Sequence, residues 1–309
     1  QAISPRMQPD GSPSFGVRRG FIDQALSGEH PVFEWTHKNF QGAEFPCEVR
    51  FSRLPSEDRR LIRVSITDIA ERKRNDQFTY AQNKILEMVA ANTACEKTLR
   101  AVCRCAEKIG PGLRAAIMRL DVRNQTLSVE QAPSLPKDIQ LALDFLKVEQ
   151  GGVTCGAAVF ANKEKFVSNI AEDEAWSGIH ALASRHGIHS VWSFPLHGTA
   201  GRIIGTLDVY LDECREPGTE ELDKLNRMAR LAGLAIKKQL DEEKLRKSES
   251  RYRGLFENVV DGVYIASRDG EIITVNPALV DMLGFDSADE LKRVGKTTML
   301  YVNPIDRER

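Results

Sequence analysis

The chain has 309 residues, 41% of them apolar and 28% charged, with a formal net charge of −1. That is the make-up of an ordinary soluble protein of about two domains, and so even a charge balance provides no overall field for nucleic acid or an anionic membrane. No apolar run reaches the roughly 18 residues of a membrane span, and no charged–apolar–small leader opens the chain.

A Pro/Gly/Ser-punctuated opening leads into a helix over 15–26, where Phe15, Arg18, Ile22, Ala25 and Leu26 recur at helical spacing and Gly28 ends the run. Apolar–polar alternation then predicts three strands, 32–37, 45–53 and 61–66, with turns at Gln41-Gly42 and Pro55–Asp58. Asp68 is placed to cap a following helix. From there Phe78, Ala81, Ile85, Met88, Asn92, Cys95, Leu99, Val102, Ala106 and Ile109 keep 3-4 spacing without a slip, a coiled-coil-like seam in which polar Asn92 would fix register. Thr93-x-x-Glu96 offers a competing capping box that would break the helix at Asn92. Unbroken, the helix from Phe78 to Ile109 would span about 48 Å, more than one small domain can cover. The seam is therefore expected to close on a second copy, a parallel homodimer through 70–92, with Asp68, Phe78, Ile85, Met88 and Asn92 relaying the signal.

Residues 113–210 read as mixed helix and strand. A hairpin pairs 113–120 with 126–131, a short helix covers 139–146, and 151–156 is a flexible loop. A strand at 166–168, a helix over 176–185 and a last strand pair, 189–196 with 202–210, complete this region. A long helix starts at Thr219, with Leu222, Leu225, Ala229, Ala232 and Ile236 at 3-4 spacing, and decays into a charged helical linker over 237–251. Tyr252, Leu255, Phe256 and Val259 open a new unit. It continues with strands 263–266 and 272–275 around Arg268-Asp269-Gly270, then a helix from Asn276-Pro277 closed by Gly284.

The order of these pieces is recognisable. Phe33-Glu34-Trp35-Thr36-His37, Gly42-Ala43-Glu44-Phe45-Pro46 and the exit Thr67-Asp68-Ile69-Ala70-Glu71-Arg72-Lys73-Arg74 resemble the C-terminal half of a PAS domain, with Ala70 where the usual exit has threonine. Leu255-Phe256-Glu257-Asn258, Asp269-Gly270, Val275-Asn276-Pro277-Ala278 and Met282-Leu283-Gly284-Phe285 resemble the N-terminal half of another. Between them, Cys155-Gly156-Ala157-Ala158, His186-Gly187-Ile188, Trp192-Ser193-Phe194-Pro195-Leu196 and Ile204-Gly205-Thr206-Leu207-Asp208-Val209-Tyr210 resemble a GAF domain. The resemblance implies an α+β fold, PAS-like and GAF antiparallel sheets flanked by helices and joined by long helical linkers. The expected order is a PAS piece over 1–69, a linker over 70–92, GAF over 93–236, a charged linker over 237–250 and a second PAS piece over 251–309. It implies a sensory and relay segment of a bacterial-type signalling protein, cytoplasmic, with both ends cut and a parent that can be membrane-anchored. The output domain, a histidine kinase or a cyclic-di-GMP enzyme, would lie elsewhere in the parent chain. The expected partners are an unidentified small molecule and a second copy, with no nucleic acid and no membrane contact by this segment.

Six cysteines, Cys47, Cys95, Cys103, Cys105, Cys155 and Cys214, include no C-x-x-C pair and no zinc-type cluster, so reduced, mostly buried thiols and no metal site are expected. Cys155 resembles a loop of GAF-fold free methionine sulfoxide reductases, but no second cysteine follows it closely enough to resolve a sulfenic acid. His180, His186, His189 and His197 are expected as surface or hydrogen-bonded residues rather than ligands, and no cofactor is named. No catalytic residue is assigned. The candidate ligand site is a cavity near Trp176, Trp192 and Phe194, with Cys155, Asp173 and Ser193 offering polar contacts. The alternatives are a GAF-fold free methionine sulfoxide reductase acting through Cys155, a purely structural dimerisation module, and, for the cavity, tryptophans that only fill core.

Overall fold

The computed structural model describes residues 3–56, 60–293 and 295; the end of the turn expected at Pro55–Asp58, and the last expected unit beyond 295, lie outside the described residues. The chain divides into two units, 1–197 with 203–232, and 198–202 with 233–309.

In the first unit, α1 (Ser14–Leu26) precedes an antiparallel meander of β1 (Val32–Lys38), β2 (Glu44–Leu54) and β3 (Leu61–Asp68), paired in that order. Alternation sends Trp35, Cys47, Val49 and Phe51 to one face, where they pack with Ala25 of α1. The opening segment is tied to this sheet: Trp35 Nε1 donates to Ser4 Oγ at 3.0 Å.

Next, α2 (Ala70–Ala90) begins as the sequence predicts, with Asp68 Oδ1 accepting from Ala70 N at 2.8 Å. It does not run on to Ile109. Asn92 adopts φ 54°, the left-handed conformation that asparagine tolerates better than most residues, and α3 (Cys95–Ala106) starts afresh. Asn92 is thus the stop of a helix rather than the register residue of a seam. The capping box is not made either: Ala94 precedes α3 without a side-chain cap, and Glu96 pairs with Arg100 at 2.8 Å.

The six-stranded sheet has the order β6-β5-β4-β9-β8-β7, all pairs antiparallel. Its elements are β4 (Arg114–Asp121), β5 (Thr126–Gln131), α4 (Lys137–Ala142), β6 (Leu146–Lys147), α5 (Thr154–Ala161), β7 (Lys165–Val167), α6 (His180–Arg185), β8 (Ser190–His197) and β9 (Ile203–Leu211). Three expectations are corrected here. The helix over 139–146 is α4 followed by a short strand, the loop over 151–156 leads into α5 at Thr154, and the helix over 176–185 is a 3-10 turn at Glu174–Trp176 followed by α6. Gly156 explains the second. A Cβ there would strike the Lys147 carbonyl, so this glycine serves the close approach of α5 to β6 rather than flexibility.

From Thr219 a single helix, α7 (Thr219–Asn258), absorbs what the sequence divides into helix, charged linker and new apolar face. The second unit adds β10 (Tyr264–Ala266) and β11 (Ile272–Val275), α8 (Pro277–Leu283) and an unexpected α9 (Ala288–Arg293). Asn276 ties these together: its Oδ1 accepts from Leu279 N at 3.0 Å, capping α8, and from Val263 N at 2.7 Å, holding the hairpin. No described helix is long and apolar enough to cross a membrane.

Candidate functional site

Because β8 pleats, successive side chains leave it on opposite sides of the sheet. Ser193 shares the face of Val191, which packs with Ala116, Met118, Tyr210, Cys155 and Trp176. Trp192 and Phe194 point to the other face, where Phe166 meets Phe194 at a ring separation of 5.8 Å. The six residues expected to share one pocket are therefore divided, and Trp176 and Trp192 cannot line a common cavity. Each ring is also committed. Trp176 Nε1 donates to Thr154 Oγ1 on α5 at 2.8 Å. Trp192 Nε1 donates to the Arg215 carbonyl at 3.0 Å, and the Arg215 guanidinium lies 4.9 Å from its ring centre. Asp173 caps the 3-10 turn that delivers Trp176, accepting from Ala175 N at 2.9 Å.

On the α5 face the cross-strand register places Ser193 opposite Asp208 and Val191 opposite Tyr210. Asp208 is a carboxyl group with no exposed surface. Burial pushes its pKa up to about 7, although Ser193 and Thr206 pull the other way. Asp208 Oδ2 accepts from Thr206 Oγ1 at 3.0 Å. Asp208 Oδ1 and Ser193 Oγ are near enough for the hydroxyl to pull the carboxyl pKa down, yet the pair misses full hydrogen-bond geometry and neither atom has another partner. Above them on α5 sits Cys155, buried, its thiol pushed well above the usual range by burial first and by Asp208 second. Tyr210 is raised likewise by burial, Asp208 and Cys155. A carboxyl, the Ser193 and Thr206 hydroxyls, a thiol and a phenol are thus gathered inside a mostly apolar layer. Cys155 and Ser193 were singled out in the sequence. Asp208 and Tyr210 were not, although they stand in the strand motif at alternate positions with Thr206; the available signal was an acid where a buried strand calls for an apolar side chain.

Three of the four histidines are held by hydrogen bonds: His180 Nδ1 with the Ser177 carbonyl at 3.0 Å, His186 Nε2 with Asp138 Oδ2 at 2.7 Å, and His197 Nε2 with Asn162 Oδ1 at 2.9 Å. Among the described residues no three His, Cys, Asp or Glu side chains gather as a metal site. Hollows elsewhere in the first unit include two with apolar lining. An apolar cleft of about 280 Å³ lies between α1 and the three-stranded sheet, lined by Phe33, Trp35, Phe51 and Ile62 among others. A smaller one of about 150 Å³ lies among α2, the end of α3 and the first turn of α7. There Phe78 is covered by Lys224, whose Nζ stands 5.5 Å from the ring centre. Of the other relay candidates Ile85 is buried and Met88 is half-buried, its carbonyl accepting from Thr93 N at 3.0 Å.

A PAS domain family matches residues 17–71, a GAF domain family 92–237 and a second PAS domain family 250–308. The methyl sulfide methyltransferase-associated sensor of Methanosarcina acetivorans is 32% identical over 227 residues, which is 73% of this chain; the chain spans 23% of that protein's length. Among solved structures, the GAF domain of an Acinetobacter phosphoenolpyruvate-protein phosphotransferase is similar over 54% of this chain and 98% of its own, at 12% identity and a TM-score of 0.42. The free methionine-R-sulfoxide reductase of Neisseria meningitidis is similar over 53% and 91%, at 18% identity and the same TM-score of 0.42. The chain belongs to the PAS/GAF sensory signalling proteins, with a PAS, a GAF and a second PAS domain in that order along it.

Proposed function

We propose that the GAF domain receives a small polar molecule on the α5 face of its sheet and that α7 relays the event to an output domain, a histidine kinase or a cyclic-di-GMP enzyme, in a longer protein. The observation that carries this reading is the incompletely satisfied Asp208. Asp208 Oδ1 and the Ser193 hydroxyl face each other but fall short of good hydrogen-bond geometry, which is costly inside a core, and a ligand donating N–H or O–H to both would remove that cost. The fitting class is a small amine, amide or polyol. The relay would use the strand itself. Ser193 and Trp192 are neighbours on β8, so a shift at Ser193 moves the ring that holds Arg215. Arg215 in turn grips Glu221 in the first turn of α7 with two hydrogen bonds, 2.7 and 2.8 Å.

Cys155 supports a binding role over catalysis. A buried thiol held protonated beside a carboxyl is the opposite of the exposed thiolate that sulfoxide reduction requires. Native mass spectrometry of the chain and of Asp208→Asn tests the proposal. The wild type is expected to carry a small molecule that the variant loses; if none co-purifies, a panel of amines, amides and polyols should raise the melting temperature of the wild type alone. An equal response from the two proteins, or thiol-dependent turnover of free methionine sulfoxide, overturns it.

A further inference from the structure

The apolar stripe of α2 is buried within a single copy, with Ile85 at 2% exposure and Phe78 at 9%. Beside Phe78 the packing leaves a gap. The hollow of about 150 Å³ among α2, the turn after α3 and the start of α7 has an apolar wall of Phe78, Ala81 and Ile109. Each of the three segments also brings one cation to it: Arg74, Lys108 and Lys224. We infer that this hollow binds a small organic anion, a short dicarboxylate, between the helix that enters the GAF domain and the helix that leaves it.

Charge selects the sign of the ligand. Two carboxylates line the hollow, and both are engaged. Glu221 accepts two hydrogen bonds from Arg215, at 2.7 and 2.8 Å, and one from Gly218 N at 3.0 Å. Glu220 pairs with Lys224. No lining carboxylate is left for Arg74 or Lys108. The Lys224 pair is itself unequal: the lysine side chain retains 13% exposure, with its ammonium 5.5 Å from the Phe78 ring centre, whereas Glu220 retains 56%. A cation so far withdrawn from water is poorly compensated by one acid that stays in it, and an anion in the hollow would supply the missing charge. Volume sets the size. A cavity of about 150 Å³ holds a molecule of about the bulk of benzene, and a four-carbon dicarboxylate matches that. Its two charged ends suit cations arriving from separate segments, and its methylenes would cover the apolar wall. Such a ligand would tie α2 to the first turns of α7, where Arg215 already grips Glu221. The inference goes beyond the Asp208 reading and does not depend on it.

Isothermal titration calorimetry of the 309-residue chain with succinate, at fixed ionic strength, provides the test. A single succinate site per chain is expected, with a Kd of roughly 0.1–1 mM, and neutral succinamide is expected not to bind. Arg74 and Lys108 are exposed, so Arg74→Gln and Lys108→Gln should leave the circular dichroism spectrum unchanged and each weaken succinate binding roughly three- to tenfold. Asp208→Asn should bind succinate as the wild type does, which separates this hollow from the site beneath α5. Absence of binding at up to roughly 10 mM succinate, equal binding of succinamide, full affinity in either glutamine variant, or loss of binding in Asp208→Asn overturns the inference.

Discussion

On one face of the GAF sheet Trp192, Phe194, Leu207 and Val209 are buried together, and the one polar atom among their side chains, Trp192 Nε1, has its acceptor. On the face beneath α5 the burial is as complete, but Asp208, Ser193, Cys155 and Tyr210 share it, and two of their oxygens are unsatisfied. Burial alone therefore does not separate core from site. An aromatic ring with its hydrogen bond made is performing a packing task, whereas a buried acid with an empty acceptor is a cost that packing does not explain.

Three changes can sharpen or break this contrast. Removing the Trp192 ring opens a large cavity, so Trp192→Ala should cost about 3–5 kcal/mol in urea unfolding; a loss under 1 kcal/mol would mean the apolar face is not the structural one. The second change is pH. Asp208 titrates near 7 in the fold, against an ordinary value of 3.8. Between those values the folded chain keeps a proton that the unfolded chain releases. The neutral acid's contribution is therefore complete below about pH 4 and is lost as pH rises through 7, a penalty on the order of 4 kcal/mol. Asp208→Asn should flatten that slope between pH 4 and 8, read from urea midpoints; an unchanged slope would assign the pH dependence elsewhere. The smallest effect is at Asp173, placed in the sequence among the ligand contacts. Asp173→Ala removes a turn cap and should cost about 1 kcal/mol without altering ligand retention by native mass spectrometry.

The strands other than β6, the hairpin at Gly270, the Asp68 cap and the helix start at Asn276 were legible because each depends on a local pattern: alternation, a positive-φ turn, or a side chain within three residues of its backbone donor. α5 was misread because Gly156 suggests flexibility until the Lys147 carbonyl is set against it, and that contact is not local in sequence. The long seam was misread for a related reason. Its 3-4 spacing crosses Asn92 without a slip, yet one left-handed residue ends the helix there.

By itself the sequence determined which segments have an apolar face, where hairpin turns such as that at Gly270 fall, and the PAS–GAF–PAS order those segments compose, since these follow from residue type and spacing along the chain. Only the tertiary structure decided what covers each face. It turned the α2 stripe inward while leaving Leu245 and Leu255 of α7 exposed, it sent Trp176 and Trp192 to opposite sides of one sheet, and it brought Asp208 under Cys155. Periodicity specifies that a face is apolar. Desolvation, hydrogen-bond satisfaction and charge pairing depend on neighbours distant in sequence, and those neighbours exist only once the chain has folded.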